Sequence, residues 1–401
     1  MAFVTAGGET AAAGQQADHA PTPYASIGAV TYAGPARASS FDLAGPVIRI
    51  GLLAPLHGPE KADGEAIVLA ARMALQEAAR RAFPGGQRLE LAIGDEVGPS
   101  WGQTADALLH LVSDDHALAL ITSANGATAH LAEQVGNRIG VPVLTLSTDP
   151  TTTEIDLPWI FRLGPSDSTL ARAIARDIQR SDGPQRIVLV AERDHDGRVG
   201  AQEFQKAIQH VGASSVACVF LDPLEPEYDS LLVQLQAQPA DAIVLWTKPE
   251  TAGGLVDRLQ KAPVSTPVYL SLRAAQPSSG LDRGSTDSSI ANDLASTSIW
   301  TTAPLVTSAP AREIFEQRYE QQTGRLPSAV AAETYDAVTL LAEAFRVVGP
   351  NRARVRDWVA KVRGFPGVSG SISFDDQGNN TPSLRLVRIQ SVRAEGSPWR
   401  N

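Results

Sequence analysis

From Val47 onward, short apolar runs alternate with amphipathic segments. The pattern predicts strands at Val47–Leu53, Arg88–Ile93, Ala117–Thr122 and Val141–Leu146, with helices near Asp63–Ala82, Gly102–Val112 and Ala127–Ile139 between them. In the first helix Ala66, Leu69, Ala70, Met73, Ala74 and Glu77 follow the spacing of one helical face. Arg80 and Arg81 fall near its C-terminal end, where the helix dipole favours cations. Continuous apolar strands separated by helices mark a parallel sheet covered on both faces. Such sheets bind ligands at their carboxyl edge, where loops lead into helix N-termini.

The series then begins again. Strands are predicted at Arg186–Ala191, Ser215–Leu221, Ala242–Trp246 and Val268–Leu272, with helices near Arg198–Val211, Tyr228–Gln236 and Glu250–Gln260. Both starts place an Asp-Gly pair, Asp63-Gly64 and Asp196-Gly197, in the loop after the first strand. The chain therefore reads as two similar α/β lobes. Between them Gly164-Pro165 breaks the pattern, and Ser166 or Asp167 caps the next helix. The polar run Gln276–Asp293 is a long irregular loop. A strand at Ser298–Thr302, helices near Ala311–Thr323, Ser328–Val348 and Arg352–Val362, and a hairpin of Ser371–Phe374 with Leu384–Ile389 close the chain.

The first 46 residues lack this periodicity and are rich in Ala, Gly, Ser, Thr and Pro, so they read as a flexible, peripheral segment. They show no basic start followed by an apolar stretch, and so do not resemble a secretory signal. The chain has 401 residues, 43% of them hydrophobic, and a formal charge of −10. That size suggests two to three domains of ordinary size. The acidic balance argues against a nucleic-acid partner and against a polybasic membrane surface. No apolar run approaches the roughly 18 to 20 residues that span a bilayer. The single cysteine, Cys218, cannot form an internal disulfide, and its apolar strand favours an inert buried thiol over a reactive one.

A search for catalytic chemistry finds little. There is no P-loop, and the first strand is not followed by the glycines that let a backbone approach a pyrophosphate. The seven histidines are scattered without ligand spacing, so neither a metal nor a cofactor is expected. Gly98-Pro99-Ser100-Trp101-Gly102 matches the nucleophile elbow of hydrolases, but the last histidine is His210 and no late acid–histidine pair follows. A capping serine is the alternative reading of Ser100. Asp375 and Asp376 fit ordinary turn chemistry better than paired catalytic acids. Trp246 and Tyr269 are placed on strands, where they either pack in the core or line a cleft.

Val47–Pro59, Gly140-Val141-Pro142-Val143-Leu144, Phe161–Ser168, Glu333–Val338 and Gly370–Asp375 together resemble, in order and spacing, the type I periplasmic binding proteins. More narrowly, they are similar to the leucine/isoleucine/valine-binding group that serves branched-chain amino acid ABC transporters. The resemblance covers about residues 47 to 395. It implies an α/β fold of two Rossmann-like lobes with parallel sheets joined by three hinge crossings, near Leu163–Ser166, Ser296–Trp300 and Gln377–Pro382. Lobe 1 is then 47–163 with 297–378, and lobe 2 is 164–296 with 379–395. The implied activity is non-enzymatic: a periplasmic or extracellular monomer closes by a hinge on a small-molecule ligand and delivers it to an ABC transporter permease. A ligand-sensing receptor on the same fold is the alternative, followed by a hydrolase using Ser100 and a degenerate binder without ligand.

The same resemblance implies where the ligand sits. A Ser-rich turn at a helix N-terminus holds the ligand carboxylate; here it reads Ser123-Ala124-Asn125-Gly126-Ala127-Thr128, so Asn125, Gly126 and Ala127 carry the site and a hydroxyl is replaced by Gly126. The next turn keeps Ser147 and Thr148, which otherwise serve as a simple N-cap. Aromatic positions of the two glycine loops are Asp63 and Asp196. The positions that clamp an ammonium group in the amino-acid binders are Thr247 and Leu272, neither of them charged, beside Trp246. Arg273 either places a cation in the cleft or is a solvated loop residue. The expected ligand is a small polar or carboxylate-bearing metabolite rather than an α-amino acid.

Overall fold

The computed structural model describes residues 45–96, 101–154, 159–180, 186–212, 215–222, 224–262, 266–276, 298–304 and 309–389. Residues 1–44 of the head, Gly98–Ser100 of the elbow match and nearly all of the Gln276–Asp293 run lie outside the described residues. The first lobe opens with β1 (Val47–Ala54), α1 (Lys61–Ala78), β2 (Arg88–Asp95), α2 (Trp101–Ser113), β3 (Ala119–Thr122), α3 (Gly126–Ile139), β4 (Val143–Thr145), α4 (Thr151–Glu154) and β5 (Ile160–Arg162). Its sheet has the order β2-β1-β3-β4-β5, every pairing parallel. Ile50, Leu52 and Leu53 of β1 are fully buried, as expected for a central strand covered by helices on both faces.

The second lobe contains α5 (Asp167–Gln179), β6 (Arg186–Glu192), α6 (His195–His210), β7 (Ser215–Leu221), α7 (Tyr228–Ala237), β8 (Ala242–Trp246), α8 (Pro249–Lys261), β9 (Val268–Leu270) and β10 (Ile299–Pro304). The chain then adds α9 (Ala309–Thr323), α10 (Ala329–Val348), α11 (Arg352–Ala360), β11 (Phe365–Pro366) and β12 (Ser371–Ile372). Through Val338, Leu341 and Phe345, α10 joins the core of the first lobe beside Ile67 and Ala71 of α1. The last strand, β13 (Leu384–Ile389), returns to the second sheet, whose order is β13-β10-β9-β8-β6-β7.

Two sequence expectations change here. The strand expected at Ser298–Thr302 does not open the return to the first lobe: β10 pairs in parallel with β9. Its Ile299 is buried with Ile243, Val268 and Leu270 of the second lobe. The return therefore follows Pro304 rather than the region Ser296–Trp300. Nor do the last two strands form a hairpin. Ser371–Ile372 pairs with Phe365–Pro366, and Leu384–Ile389 pairs antiparallel with β10. The turn between them is real but local, with Asp375 Oδ1 accepting from the Gln377 and Asn379 amides.

The Asp-Gly echo has a packing cause. A Cβ at Gly64 would stand 1.8 Å from the Pro55 carbonyl oxygen, and one at Gly197 would stand 2.3 Å from that of Glu192. In each lobe the helix after the first strand thus presses its first turn onto the strand end, and only glycine permits the approach. Near the crossings, the buried Arg162 of β5 donates to Asp149, Pro150, Thr153 and Asn379. It ties the loop after β4 to the segment that leads out of the first lobe. Among the described residues no helix is long and apolar enough to cross a membrane.

Candidate functional site: the cleft between the lobes

The carboxyl edges of the two sheets face each other, so the N-termini of α3 and α6 meet across the cleft. Asn125 caps α3, its side chain accepting from the Thr128 amide at 3.1 Å. Asp194 caps α6 in the same way, accepting from the Gly197 amide at 2.8 Å. Two helix N-termini brought together concentrate positive potential, and carboxylates collect there. Asp196 Oδ1 accepts from the Gly126 amide at 3.0 Å, across the cleft. The amide that the resemblance reserves for a ligand carboxylate is thus taken by a carboxylate of the chain itself. A side chain at Gly126 would crowd it, since a Cβ there lies 2.4 Å from Asp196 Oδ1.

Arg273 joins this arrangement as a cleft cation. Its Nη1 donates to Asp196 Oδ2 at 2.7 Å and its Nη2 to Glu60 Oε1 at 3.1 Å. Lys248 Nζ approaches the same Glu60 oxygen at 2.7 Å. Glu60 stands at the N-cap position of α1 without capping it, because its side chain reaches across to these two cations. Burial pushes the Glu60 carboxyl up, but Arg273 and Lys248 outweigh it and leave it below its ordinary value. Asp63 lacks such a direct pair: burial, with Glu250 and Glu60 nearby, pushes it up to about 6 against the pull of Arg273 and Lys248.

Between the two lobes remains a small cavity of about 10 Å³, room for about one water molecule in this closed arrangement. Its walls include Thr148, Asp167, Trp246, Thr247, Ser271 and Arg273. Asp167 is buried and pushed up to about 8 by the loss of water, although it receives Trp246 Nε1 at 3.2 Å. Trp246 meets both expectations for it: it belongs to the second lobe's core and also reaches the cavity wall. Tyr269 packs in the same core and donates to Asp177 at 3.1 Å. Thr247 is 4% exposed, and its hydroxyl oxygen has no hydrogen-bond partner in the protein. A buried hydroxyl left this way costs on the order of 1–3 kcal/mol and invites a polar group.

The remaining expected residues divide. Ala127 is half-buried in the first turn of α3. Ser147 is engaged within its own turn, its hydroxyl accepting from the Asp149 amide at 3.2 Å. Ahead of α4 it is Asp149, rather than Ser147 or Thr148, whose side chain accepts from the Thr151 amide, at 2.9 Å. Leu272 lies in the core of the second lobe, while its neighbours Ser271 and Arg273 line the cavity. Glu60, Asp149, Asp167, Lys248 and His195 were not singled out from the sequence as ligand residues. Asp149 and Asp167 stood inside the quoted turns, but only the meeting of the lobes gives them a role.

Comparison with known proteins agrees with this architecture. The profile of the periplasmic binding protein family matches residues 47–396. A Leu/Ile/Val-binding protein of Rhizobium johnstonii is 22% identical over 211 residues, covering 53% of this chain and 57% of that relative. The chain thus spans little more than half the length of that relative. A leucine-binding protein from Thermotoga maritima superposes with a TM-score of 0.73 at 20% identity, over 85% of this chain and 95% of that one. A solute-binding protein from Rhodopseudomonas palustris, solved in complex with benzoate, gives 0.74 at 17% identity, over 86% and 93%. The family and these neighbours are substrate-binding proteins, not enzymes. The chain belongs to the periplasmic binding protein family and has its type I fold, with the leucine/isoleucine/valine-binding group as its relatives.

Proposed function

We propose that the protein is an extracytoplasmic solute-binding protein that captures a small polar or carboxylate-bearing metabolite between its lobes and presents it to the permease of an ABC importer. It acts as a monomer in the periplasm or outside the cell, and no chemical step is involved. The observation that carries this reading is the polar lining at the junction of the lobes, where Arg273 and the unpartnered Thr247 hydroxyl border the same small cavity, which the lobes would widen on opening. A ligand carboxylate would replace Asp196 or Glu60 on Arg273, and a hydroxyl or carbonyl would answer Thr247. The α-ammonium of an amino acid finds neither an aromatic hydroxyl nor a carboxylate at positions 247 and 272, which are Thr247 and Leu272.

A thermal-shift screen of amino acids against aliphatic and aromatic carboxylic acids tests the reading, because a ligand that binds the folded state alone raises the melting temperature. Stabilisation by one or more carboxylic acids is expected. Stabilisation by leucine-like amino acids alone would reject the ligand class.

A further inference from the structure

We propose that His130, Asp149 and His195 form a divalent-cation site, with zinc the best fit, that bolts the two lobes together beside the ligand cleft. The sequence gives no hint of it, because the three residues come from α3, the loop after β4 and the start of α6. Their donor atoms nevertheless all lie within 4.8 Å of one another. Asp149 Oδ2 is 2.7 Å from His195 Nε2 and 3.2 Å from His130 Nε2. Donors of a tetrahedral zinc site stand roughly 3.3 Å apart, given metal–donor distances of about 2.0 Å. Small ring movements would therefore admit the ion.

The surroundings are built for ligation. His130 Nδ1 lies 3.1 Å from Glu133 Oε2, and Glu133 is 3% exposed. A carboxylate on Nδ1 holds a proton there, as carboxylates behind zinc-ligating histidines do, and zinc would replace the Nε2 proton now shared with Asp149 and with the Thr151 hydroxyl at 2.9 Å. Asp149 is oriented from its other oxygen, which accepts from the Thr151 amide at 2.9 Å and from the Thr151 hydroxyl at 2.7 Å. Two imidazoles and one carboxylate form a borderline donor set suited to zinc, with a fourth position for water. By contrast, His110 has Asp114 at 2.6 Å on one ring nitrogen and Asp115 at 3.9 Å on the other, and both His110 and Asp114 stand exposed.

His130 and Asp149 belong to the first lobe and His195 to the second. An ion held by all three exists only when the lobes are closed, so it favours closure by its differential affinity. His195 also precedes Asp196, which accepts from Gly126 and Arg273. Zinc and cleft ligand are thereby coupled, and each alters the affinity of the other by the same factor. The proposal holds whether or not the importer reading does.

Titration of the full chain with zinc chloride, followed by calorimetry and melting temperature, tests the site. One zinc per chain and a saturable rise in melting temperature are expected, both lost in His130→Ala and His195→Ala and both kept in His110→Ala. Glu133→Gln should bind zinc about 10-fold more weakly. Absence of a saturable rise, or a rise equal in His195→Ala and the unaltered chain, overturns the site. Should the histidine variants fold poorly, cobalt(II) added to the unaltered protein decides: strong tetrahedral absorption supports the site, and the pale spectrum of octahedral cobalt refutes it.

Discussion

Arg273 holds Asp196 and Glu60 at once, one from its own lobe and one from the other. Burial by itself would lower the basicity of the guanidinium, but Asp196 and Glu60 reverse the effect and leave it raised. It therefore remains a cation throughout the accessible pH range and is the donor that an incoming anion meets. Charge-assisted hydrogen bonds contribute about 1.5–3 kcal/mol, so Arg273→Ala should weaken binding of a carboxylate ligand by roughly 10- to 100-fold. Isothermal calorimetry with a ligand found by screening measures this, and an unchanged affinity would place the ligand away from Arg273. At this scale the sequence was legible where a turn carries its own signal, as at Ser166, which caps α5 by accepting from the Thr169 amide. Glu60 was not legible, because it looks like an ordinary acidic residue just ahead of a helix. Its role depends on Lys248 and Arg273, which lie far along the chain on the opposite lobe.

At the level of elements, α6 and β8 show how closely the second lobe is assembled. The Trp246 ring at the end of β8 lies over Gly200 of α6, where a Cβ would stand 1.9 Å from the indole nitrogen. Gly200→Ala would gain about 1 kcal/mol of helix propensity but must displace a buried ring, and such overpacking costs about 1–3 kcal/mol. The clash should dominate: a lower urea midpoint is expected, with Trp246 moved off the Asp167 carboxylate. An increase in stability would mean that the ring relocates freely. The strands and helices themselves were readable because each long apolar run is covered by an amphipathic partner. Short or shared strands were not. β5 is only three residues long, and the alternating pattern of β13 does not say that its partner is β10 rather than the nearer β12. Parallel and antiparallel neighbours on a sheet edge bury the same kind of residue, so the pairing emerges only from the whole sheet.

Over the whole molecule, the crossings decide how freely the lobes move. Glu333 of α10 lies against Gly164 in the first crossing, where a Cβ on the glycine would be 2.5 Å from its Oε1. Burial, reinforced by Asp336, pushes its carboxyl from 4.5 up to about 8. The fold therefore prefers the protonated form. The resulting stability is fully present below about pH 4.5 and is lost as the pH rises through about 8. Glu333→Gln keeps the shape and removes the ionisation, so its melting temperature should exceed that of the unaltered chain above pH 8 and match it near pH 4.5. Parallel pH profiles of the two proteins would contradict the buried protonated carboxyl. The closed arrangement also carries a consequence for exchange of the ligand. Asp196 sits on the Gly126 amide as a tethered rival to any anion that enters the cleft. Its local concentration is of the order of millimolar, so an anion must outcompete a group that never diffuses away. The apparent affinity of the cleft is then lower than its contacts imply, and a departing ligand is replaced at once by a side chain already in place. Capture and release would be governed by substitution at one amide, with the lobes moving as that substitution proceeds.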